Sequence, residues 1–455
     1  MKSYLYTVII SCLGLLSCEH YLDISPPNNR LETATVFADS SSAALAISGT
    51  YSSIMATSGG LLESQVRIAA LQSDELLYTG TSEPIAQFAN NSLISDNNMV
   101  NNLWSGLYKN IYQVNLIIEN VENSITISNT AKSKLIGEGK FLRAFLYFCL
   151  TNNWGAVPLV TGTDYRENEK KEQSTSKEVY ALIVADLKSA IADLPTKYPT
   201  PERVRPTKLV AKAFLARVQL YRKNWREALD LSNELINLGS YPIETELDNT
   251  FQKNSTETIW QLFSATSNMF YDTYDGFYLI PSSLTNTTAP IYLLSPDLLA
   301  SFAADDSRKT TWVGIKPSGP YYFPYKYTTR TRTGNQYTVV FRAAEQLLIR
   351  AEANLMMGDI EAAIEDINAI RRRAKISLLP SHLNIADCTA ALIEERRREL
   401  FCEWGHRWFD LKRLDLATDV LGTIKEENWQ VTDTLLPIPQ IQLINAPQLV
   451  QNEGY

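Results

Sequence analysis

The sequence contains few of the residue types that carry metal-dependent or nucleophilic chemistry. Its 455 residues include 5 cysteines and 3 histidines. The histidines, His20, His382 and His406, lie far apart and no CxxC pair occurs, so the spacing gives no zinc-binding pattern. The motifs of serine hydrolases, zinc proteases and phosphate-binding loops are missing as well. We therefore expect no metal site, no cofactor and no enzymatic activity.

Long apolar runs are missing after the first residues of the chain. Lys2 and the mostly apolar run from Leu5 to Leu16 are typical of a signal peptide, and a spanning helix would need about 20 residues. Leu-Leu-Ser precedes Cys18, an order that resembles the lipobox of bacterial lipoproteins. We therefore predict a signal peptide at residues 1–17 and a lipid anchor on Cys18, since two or more acyl chains attach a protein stably to a membrane. An ordinary signal peptide with an incidental cysteine is the alternative.

Positive charge is also scarce. The chain has 42 Lys and Arg against 50 Asp and Glu, which gives a formal net charge of −8 at pH 7. An acidic chain is a poor general binder of nucleic acid or of an anionic membrane surface. We therefore expect no nucleic-acid partner.

The stretch from Leu392 to Leu414 reads LIEERRRELFCEWGHRWFDLKRL and has the spacing of one amphipathic helix. Its apolar side chains recur every three, four or seven residues, at Ile393, Leu400, Trp404, Trp408 and Leu411. Glutamates alternate with arginines at spacings of three and four, as with Glu394 and Arg398, which favours ion pairs along a helix. We interpret the three consecutive arginines as part of a structural ion-pair network rather than as a nucleic-acid site.

An internal repeat indicates the architecture. Residues 220–229 align with residues 355–364, at an offset of 135 residues. Each copy reads as a helix, a tight polar turn and a second helix, which resembles a tetratricopeptide helix pair. Weaker helix pairs are expected at residues 101–150 and 179–222. The prediction is a mostly α fold of tetratricopeptide-like helical repeats, an α-α superhelix, with an irregular, loop-rich lobe packed on it.

The lobe is unusually aromatic. Between Phe270 and Tyr327 there are 13 aromatic residues in 58, in a stretch without helical period. Long loops in a compact chain are uncommon unless they bind something or are disordered, and so many aromatics argue against disorder. The C–H faces of sugar rings stack on aromatic planes, and tyrosine adds a hydroxyl for the sugar rim. The candidate glycan-binding residues are Tyr271, Tyr274, Phe277, Tyr278, Trp312, Tyr321, Tyr322 and Tyr325, with Asp74 as a hydrogen-bonding partner. Packing of these rings onto the helices, and helix capping by Asp74, are the alternatives.

Three stretches carry a family resemblance. EERRRELFCEWGHRWFDLKR within the Leu392 to Leu414 stretch, FLRAFLYFCLTNNWGAVPLVT from Phe141, and a close with LLPIPQ and a final NEGY resemble the SusD/RagB family. The resemblance implies a lipid-anchored outer-membrane protein that faces the cell exterior and captures an oligosaccharide or polysaccharide. It further implies delivery of that glycan to a SusC-like, TonB-dependent transporter without catalysis.

Two adjacent aspartates, Asp305 and Asp306, suggest a catalytic pair at first sight. Adjacent side chains point apart, however, whereas glycoside hydrolysis needs two carboxyl groups on opposite sides of one bond. The family has a similar Asp-x-Arg element, which implies a structural ion pair between Asp306 and Arg308. A lipoprotein that captures peptides or scaffolds proteins is the alternative function, and a glycoside hydrolase is a further one.

The resemblance and the repeat together give a division of the chain. The expected organisation is a signal peptide at 1–17, a tether at 18–42, an N-terminal helical half at 43–240 and a C-terminal half at 241–455 with an aromatic insertion at 264–336.

Overall fold

The computed structural model describes residues 36–55, 61, 63–263 and 270–455. The predicted signal peptide, the anchor Cys18 and most of the predicted tether lie outside these ranges. The helices of the first half are α1 (Ser40–Ile54), α2 (Ala69–Gln72, continuing a π-helix at Glu63–Ile68), α3 (Glu83–Asn90), α4 (Asn98–Asn123), α5 (Asn129–Trp154), α6 (Tyr165–Asn168), α7 (Ser176–Asp193), α8 (Lys208–Tyr221) and α9 (Trp225–Asn237). Those of the second half are α10 (Tyr274–Leu279), α11 (Pro296–Ser301), α12 (Ser307–Thr311), α13 (Ala343–Met356), α14 (Ile360–Arg373), α15 (Ile385–Leu400), α16 (His406–Arg413), α17 (Ala417–Ile424) and α18 (Gln440–Asn445).

The long helices form one continuous array. In chain order, α4 packs on α5, α5 on α7, α7 on α8, and α8 on α9. The two copies of the sequence repeat are then joined, because α9 packs directly on α13, which packs on α14. Ala216 and Ala351, which occupy equivalent positions in the two copies, are both fully buried where helices approach closely. The predicted helical-repeat fold is confirmed.

The strands are short and form four antiparallel pairs. Their bounds are β1 (Leu76–Tyr78), β2 (Val157–Pro158), β3 (Gln173–Ser174), β4 (Thr258–Leu262), β5 (Tyr292–Leu294), β6 (Val313–Lys316), β7 (Tyr321–Pro324) and β8 (Thr338–Arg342). The pairs are β1 with β5, β2 with β3, β4 with β8 and β6 with β7. Pairing of β1 with β5 attaches the aromatic lobe to an early segment of the chain, with Tyr78 opposite Tyr292.

The stretch from Leu392 to Leu414 is two helices, and the prediction of one helix was wrong. Helix α15 ends at Leu400 and α16 begins at His406. Between them Cys402 and Trp404 have φ values of 52° and 45°, a region that few residues other than glycine adopt. Long-range bonds hold this break, since the Cys402 N–H donates to the Glu75 carboxylate at 3.1 Å. Spacings of three and four continue across the break, so the periodicity did not reveal it.

Glu399 lies at the centre of a buried ion-pair network. Its carboxylate accepts hydrogen bonds from Arg342 at 2.6 Å, from Arg308 at 3.1 Å and from Arg373. Burial by itself would raise the pKa of Glu399, but the three cations outweigh burial and hold its pKa well below the ordinary value. The structural interpretation of the charges is confirmed, with partners that are distant in sequence.

The individual pairs of the arginine triplet differ from those expected along one helix. Arg396 pairs with Asp410 at 2.7 Å, and Arg398 pairs with Glu395 rather than with Glu394. Asp306 accepts two hydrogen bonds from the Arg308 guanidinium, at 3.0 and 2.8 Å, which confirms the structural pair. Arg308 in turn pairs with Glu395 at 2.7 Å and with Glu399 at 3.1 Å, which holds the lobe on α15.

The C-terminal tail closes the helical array. The Trp154 indole N–H donates to the Pro437 carbonyl at 2.9 Å, and the Asn452 amide donates to the Trp154 carbonyl at 3.1 Å. Two of the stretches that carried the family resemblance therefore contact each other directly. Among the described residues, no helix combines the length and the apolar character needed to cross a membrane.

Candidate functional site

A cavity of about 490 Å³ opens where the early segment 67–85 meets the aromatic lobe. Four aromatic rings line it, those of Tyr78, Phe277, Tyr278 and Tyr292. Asn286 and Thr288, which also line it, are exposed, so the cavity opens on the surface. Its walls come from β1, β5, α10 and the loop between α10 and β5.

One wall is a double layer of rings on α10. Thr273 caps this helix by accepting the Gly276 N–H at 3.1 Å. Tyr274 stacks on Tyr278 with ring centres 4.2 Å apart and planes at 27°, since residues four apart share a helix face. Tyr271, which precedes α10 in the chain, stacks on Phe277 with ring centres 4.7 Å apart and planes at 21°. In each stack the first ring is buried and the second lines the cavity.

The opposite wall is built around Arg67. Its guanidinium donates to the Tyr292 hydroxyl at 2.8 Å and lies 5.4 Å from the centres of the Tyr278 and Tyr292 rings. Tyr78 and Tyr292 face each other across β1 and β5 with ring centres 5.7 Å apart. Arg67 therefore joins the two walls by cation–π contacts.

Two further cations line the cavity. The Lys316 ammonium donates to the Asn286 side-chain oxygen at 2.5 Å and to the Thr288 carbonyl. The Arg330 guanidinium lies 4.7 Å from the centre of the Phe277 ring and donates to the Ile280 carbonyl. Partial burial lowers the pKa of Arg330 from its ordinary value. The ordinary pKa of arginine is so high that the guanidinium is still charged at neutral pH. Among the described residues of the lining there is no aspartate or glutamate.

The structure brings two of the predicted residues, Phe277 and Tyr278, to the cavity. Tyr271 and Tyr274 form the layer behind them, at 4% and 3% exposure. The predicted residues of the β6–β7 region are half-buried and do not line the cavity; these are Tyr321, Tyr322 and Tyr325.

Trp312 and Asp74 occupy structural positions, which corrects their assignment as ligand contacts. Trp312 is 1% exposed, packs against Phe251 and donates its indole N–H to the Leu247 carbonyl at 3.2 Å. Asp74 is 4% exposed and accepts two hydrogen bonds from Arg407, each of 2.7 Å. Neither side chain has a free face for a sugar.

Sequence reasoning missed most of the lining outside α10. The missed residues with polar or aromatic side chains include Arg67, Tyr78, Tyr292, Lys316 and Arg330. Asp74 was the residue expected from the early segment of the chain, and Tyr78 of that segment lines the cavity instead. No local pattern signals the others, because the Arg67–Tyr292 bond joins residues 225 positions apart.

The described lining combines the groups that bind a sugar face and its hydroxyls. Stacking rings are combined with hydrogen-bond donors from Arg67, Lys316 and Arg330, while a glycosidase would place two carboxyl groups in the same cavity. In the described part of the chain, no three His, Cys, Asp or Glu side chains are grouped so that they could hold a metal ion.

Two family models match the chain. Residues 20–220 match the SusD-like model described as starch-binding associating with outer membrane, and residues 298–455 match the model of the SusD family. SusD-like protein P25 of Formosa agariphila is 25% identical over 520 aligned residues, covering 98% of both chains. A SusD-like protein of Bacteroides ovatus is 27% identical over 229 residues, which cover 50% of this chain and 40% of that protein.

Solved structures share the fold over nearly the whole chain. A SusD superfamily protein from Bacteroides vulgatus superposes with a TM-score of 0.82 at 20% identity, covering 92% of this chain and 100% of the other. A laminarin-binding SusD-like protein gives a TM-score of 0.78 at 24% identity, with 91% and 99% covered. Since models of one family match both halves and relatives align along the full length, the chain belongs to the SusD/RagB family.

Proposed function

We propose that this protein captures an oligosaccharide or polysaccharide at the cell surface without altering it. The observation that carries the proposal is a pair of rings, Phe277 and Tyr278, that line the cavity. The buried rings of Tyr271 and Tyr274 stack behind them and fix their position. A sugar ring placed there gains stacking on both rings, and its hydroxyls meet the polar side chain of Asn286. Rings already fixed by packing lose little conformational entropy on binding.

The same lining supports the proposal of retention without cleavage. Hydrolysis of a glycosidic bond needs an acid and a second carboxyl group within about 5–10 Å of each other. The cavity lining supplies rings, amides and cations instead. A binding role also agrees with relatives whose names describe glycan binding, such as the laminarin-binding SusD-like protein and the surface glycan-binding protein A of Bacteroides thetaiotaomicron.

The proposal includes an outer-membrane location and a transporter partner. Cys18 would carry the lipid anchor, residues 18–42 would form the tether, and the folded body would face the cell exterior. A SusC-like, TonB-dependent transporter would receive the glycan. The family description of association with the outer membrane supports this location. Replacing Cys18 by Ala should move the protein from the membrane fraction to the soluble fraction if the anchor is correct.

The binding proposal is tested with purified protein and a panel of polysaccharides cast into native affinity gels. At least one polysaccharide should retard the wild-type protein, and Tyr278→Ala should remove the retardation. Tyr165→Ala is the matched control, because it deletes an exposed tyrosine that is not part of the cavity. Peptide binding without polysaccharide retention would favour the peptide-capturing alternative, and release of shortened sugars would show a hydrolase.

A further inference from the structure

The cavity differs in charge from the rest of the molecule. The chain has a formal net charge of −8, yet the described residues that line the cavity include three cations, Arg67, Lys316 and Arg330, and none of these described residues is an aspartate or a glutamate. Uncharged stacking and hydrogen bonding would be enough to hold a neutral sugar. A concentration of positive charge in an acidic protein therefore favours a negatively charged ligand.

Lys316 is held in place by neutral acceptors. It is 1% exposed, and its ammonium donates to the Asn286 side chain and to the Thr288 carbonyl, both on the loop that borders the cavity. Within the described ranges, no carboxylate forms an ion pair with it. A buried cation without a counter-ion is costly, and a bound anion would offset that cost.

Arg330 lines the same cavity next to the aromatic wall. Its guanidinium covers the Phe277 ring at 4.7 Å, and one of its nitrogens donates to the Ile280 carbonyl. A guanidinium has five N–H donors in a planar fork, so donors remain beyond the bond to Ile280. Such a fork matches the two oxygens of a carboxylate, or two oxygens of a sulfate ester.

We propose that this cavity selects glycans that carry an anionic group, a carboxylate or a sulfate ester, next to the ring that stacks on Phe277 and Tyr278. Lys316 and Arg330 would bind the anion while the rings bind the sugar face. This inference deepens the proposed function and rests on it. The anion supplies both selectivity and faster association, since opposite charges steer the encounter.

The test compares three oligosaccharides of equal length by isothermal titration calorimetry: a neutral β-glucan, an oligogalacturonate and a sulfated galactan. We expect at least one anionic ligand to bind about ten-fold or more tightly than the neutral one in low salt. Raising NaCl to 1 M should remove most of the difference, because the Debye length falls to about 3 Å. Preference for the galacturonate or for the sulfated galactan identifies which anion is read.

Charge-removing variants locate the effect. Lys316→Gln and Arg330→Gln should each weaken the anionic ligand about ten-fold and weaken any binding of the neutral ligand by clearly less. Arg330→Lys keeps the charge and should retain the preference for an anion. Lys171→Gln is the control, because it removes the same charge from an exposed side chain outside the cavity. A circular-dichroism melt of each variant separates misfolding from loss of the anion contact.

Two different failures can be told apart. Binding of the neutral glucan as tightly as both anionic ligands would overturn the anion inference and leave glycan capture standing. Equal losses for neutral and anionic ligands in folded Lys316→Gln and Arg330→Gln would overturn it too. Binding of no saccharide of either kind by the wild-type protein would overturn both proposals.

Discussion

Tyr274 and Tyr278 form a stack in which one ring supports the other. Their centres lie 4.2 Å apart, Tyr274 is 3% exposed, and Tyr278 lines the cavity. The same relation holds between Tyr271 and Phe277. Of two aromatic residues that look equivalent in the sequence, one is therefore a buried support and the other lines the cavity. The predictions below separate these two roles.

Gly276 is expected to be essential for the position of the aromatic wall. A Cβ atom at this position would lie 2.3 Å from the Thr329 carbonyl oxygen, so Gly276→Ala must shift α10 or the facing backbone. We expect weaker saccharide binding together with a lower melting temperature. Gly49→Ala is the control, because a Cβ there meets nothing within 4 Å and alanine favours the helix by about 1 kcal/mol. Unchanged binding in a folded Gly276→Ala would show that the wall tolerates displacement.

Trp312 should affect stability rather than ligand binding. Trp312→Ala removes a buried ring that packs on Phe251, and such deletions cost about 3–5 kcal/mol. Chemical unfolding should show this loss, while affinity measured well below the melting temperature should remain near the wild-type value. Trp312→Phe keeps most of the packing and loses the bond to Leu247, so its cost should be smaller. If Trp312→Ala kept wild-type stability but lost affinity for the saccharide, Trp312 would have to contact the ligand.

Glu399 should be the most sensitive carboxylate of the ion-pair network. Glu399→Gln leaves Arg308, Arg342 and Arg373 buried with less compensating charge, and breaking a buried pair costs about 3–5 kcal/mol. Equilibrium unfolding in urea measures the loss. Glu365→Gln, an exposed glutamate on α14, should change stability by no more than about 0.5 kcal/mol. Similar effects of the two substitutions would mean that the network contributes little.

Asp275 should make stability depend on pH. Burial, and secondarily the charge of Glu403, raise the pKa of Asp275 from 3.8 to about 7. The native protein then binds more protons than the unfolded chain between these values, so this group destabilises the fold as pH rises from 3.8 to about 7. Asp275→Asn removes the effect. The variant should gain stability relative to wild type across that range, by up to about 4 kcal/mol, and the gain should level off above pH 7.

The measurement for Asp275 is the difference in unfolding free energy between variant and wild type in urea at pH 4, 5.5, 7 and 8. Contributions of other groups largely cancel in that difference. A difference that is the same at every pH would show that Asp275 has the same pKa in the folded and unfolded states.

The helical framework was predictable because its signals are local. Apolar periodicity fixes which face of a helix is buried, and the turn between α8 and α9 recurs between α13 and α14. The break after Leu400 was not predictable in this way. Its backbone conformation depends on Glu75, more than 300 residues away in the chain, which accepts the Cys402 N–H.

The composition of the lobe drew attention to α10, where Phe277 and Tyr278 line the cavity. Composition could not separate those rings from Trp312, because a loop has no period that marks a buried face. The cations were missed for a related reason. Lys316 and Arg330 line the cavity only because the chain after α10 folds against them and accepts their hydrogen bonds.

The amino-acid sequence by itself determined the family, the stack of paired helices and the aromatic character of the lobe, since each is written in neighbouring residues or in short motifs. Tertiary structure alone decided which rings remain open and which charges surround them. The pairing of β1 with β5 brings Arg67 and Tyr78 to Tyr292, and contacts across such distances leave no local pattern from which they could be read.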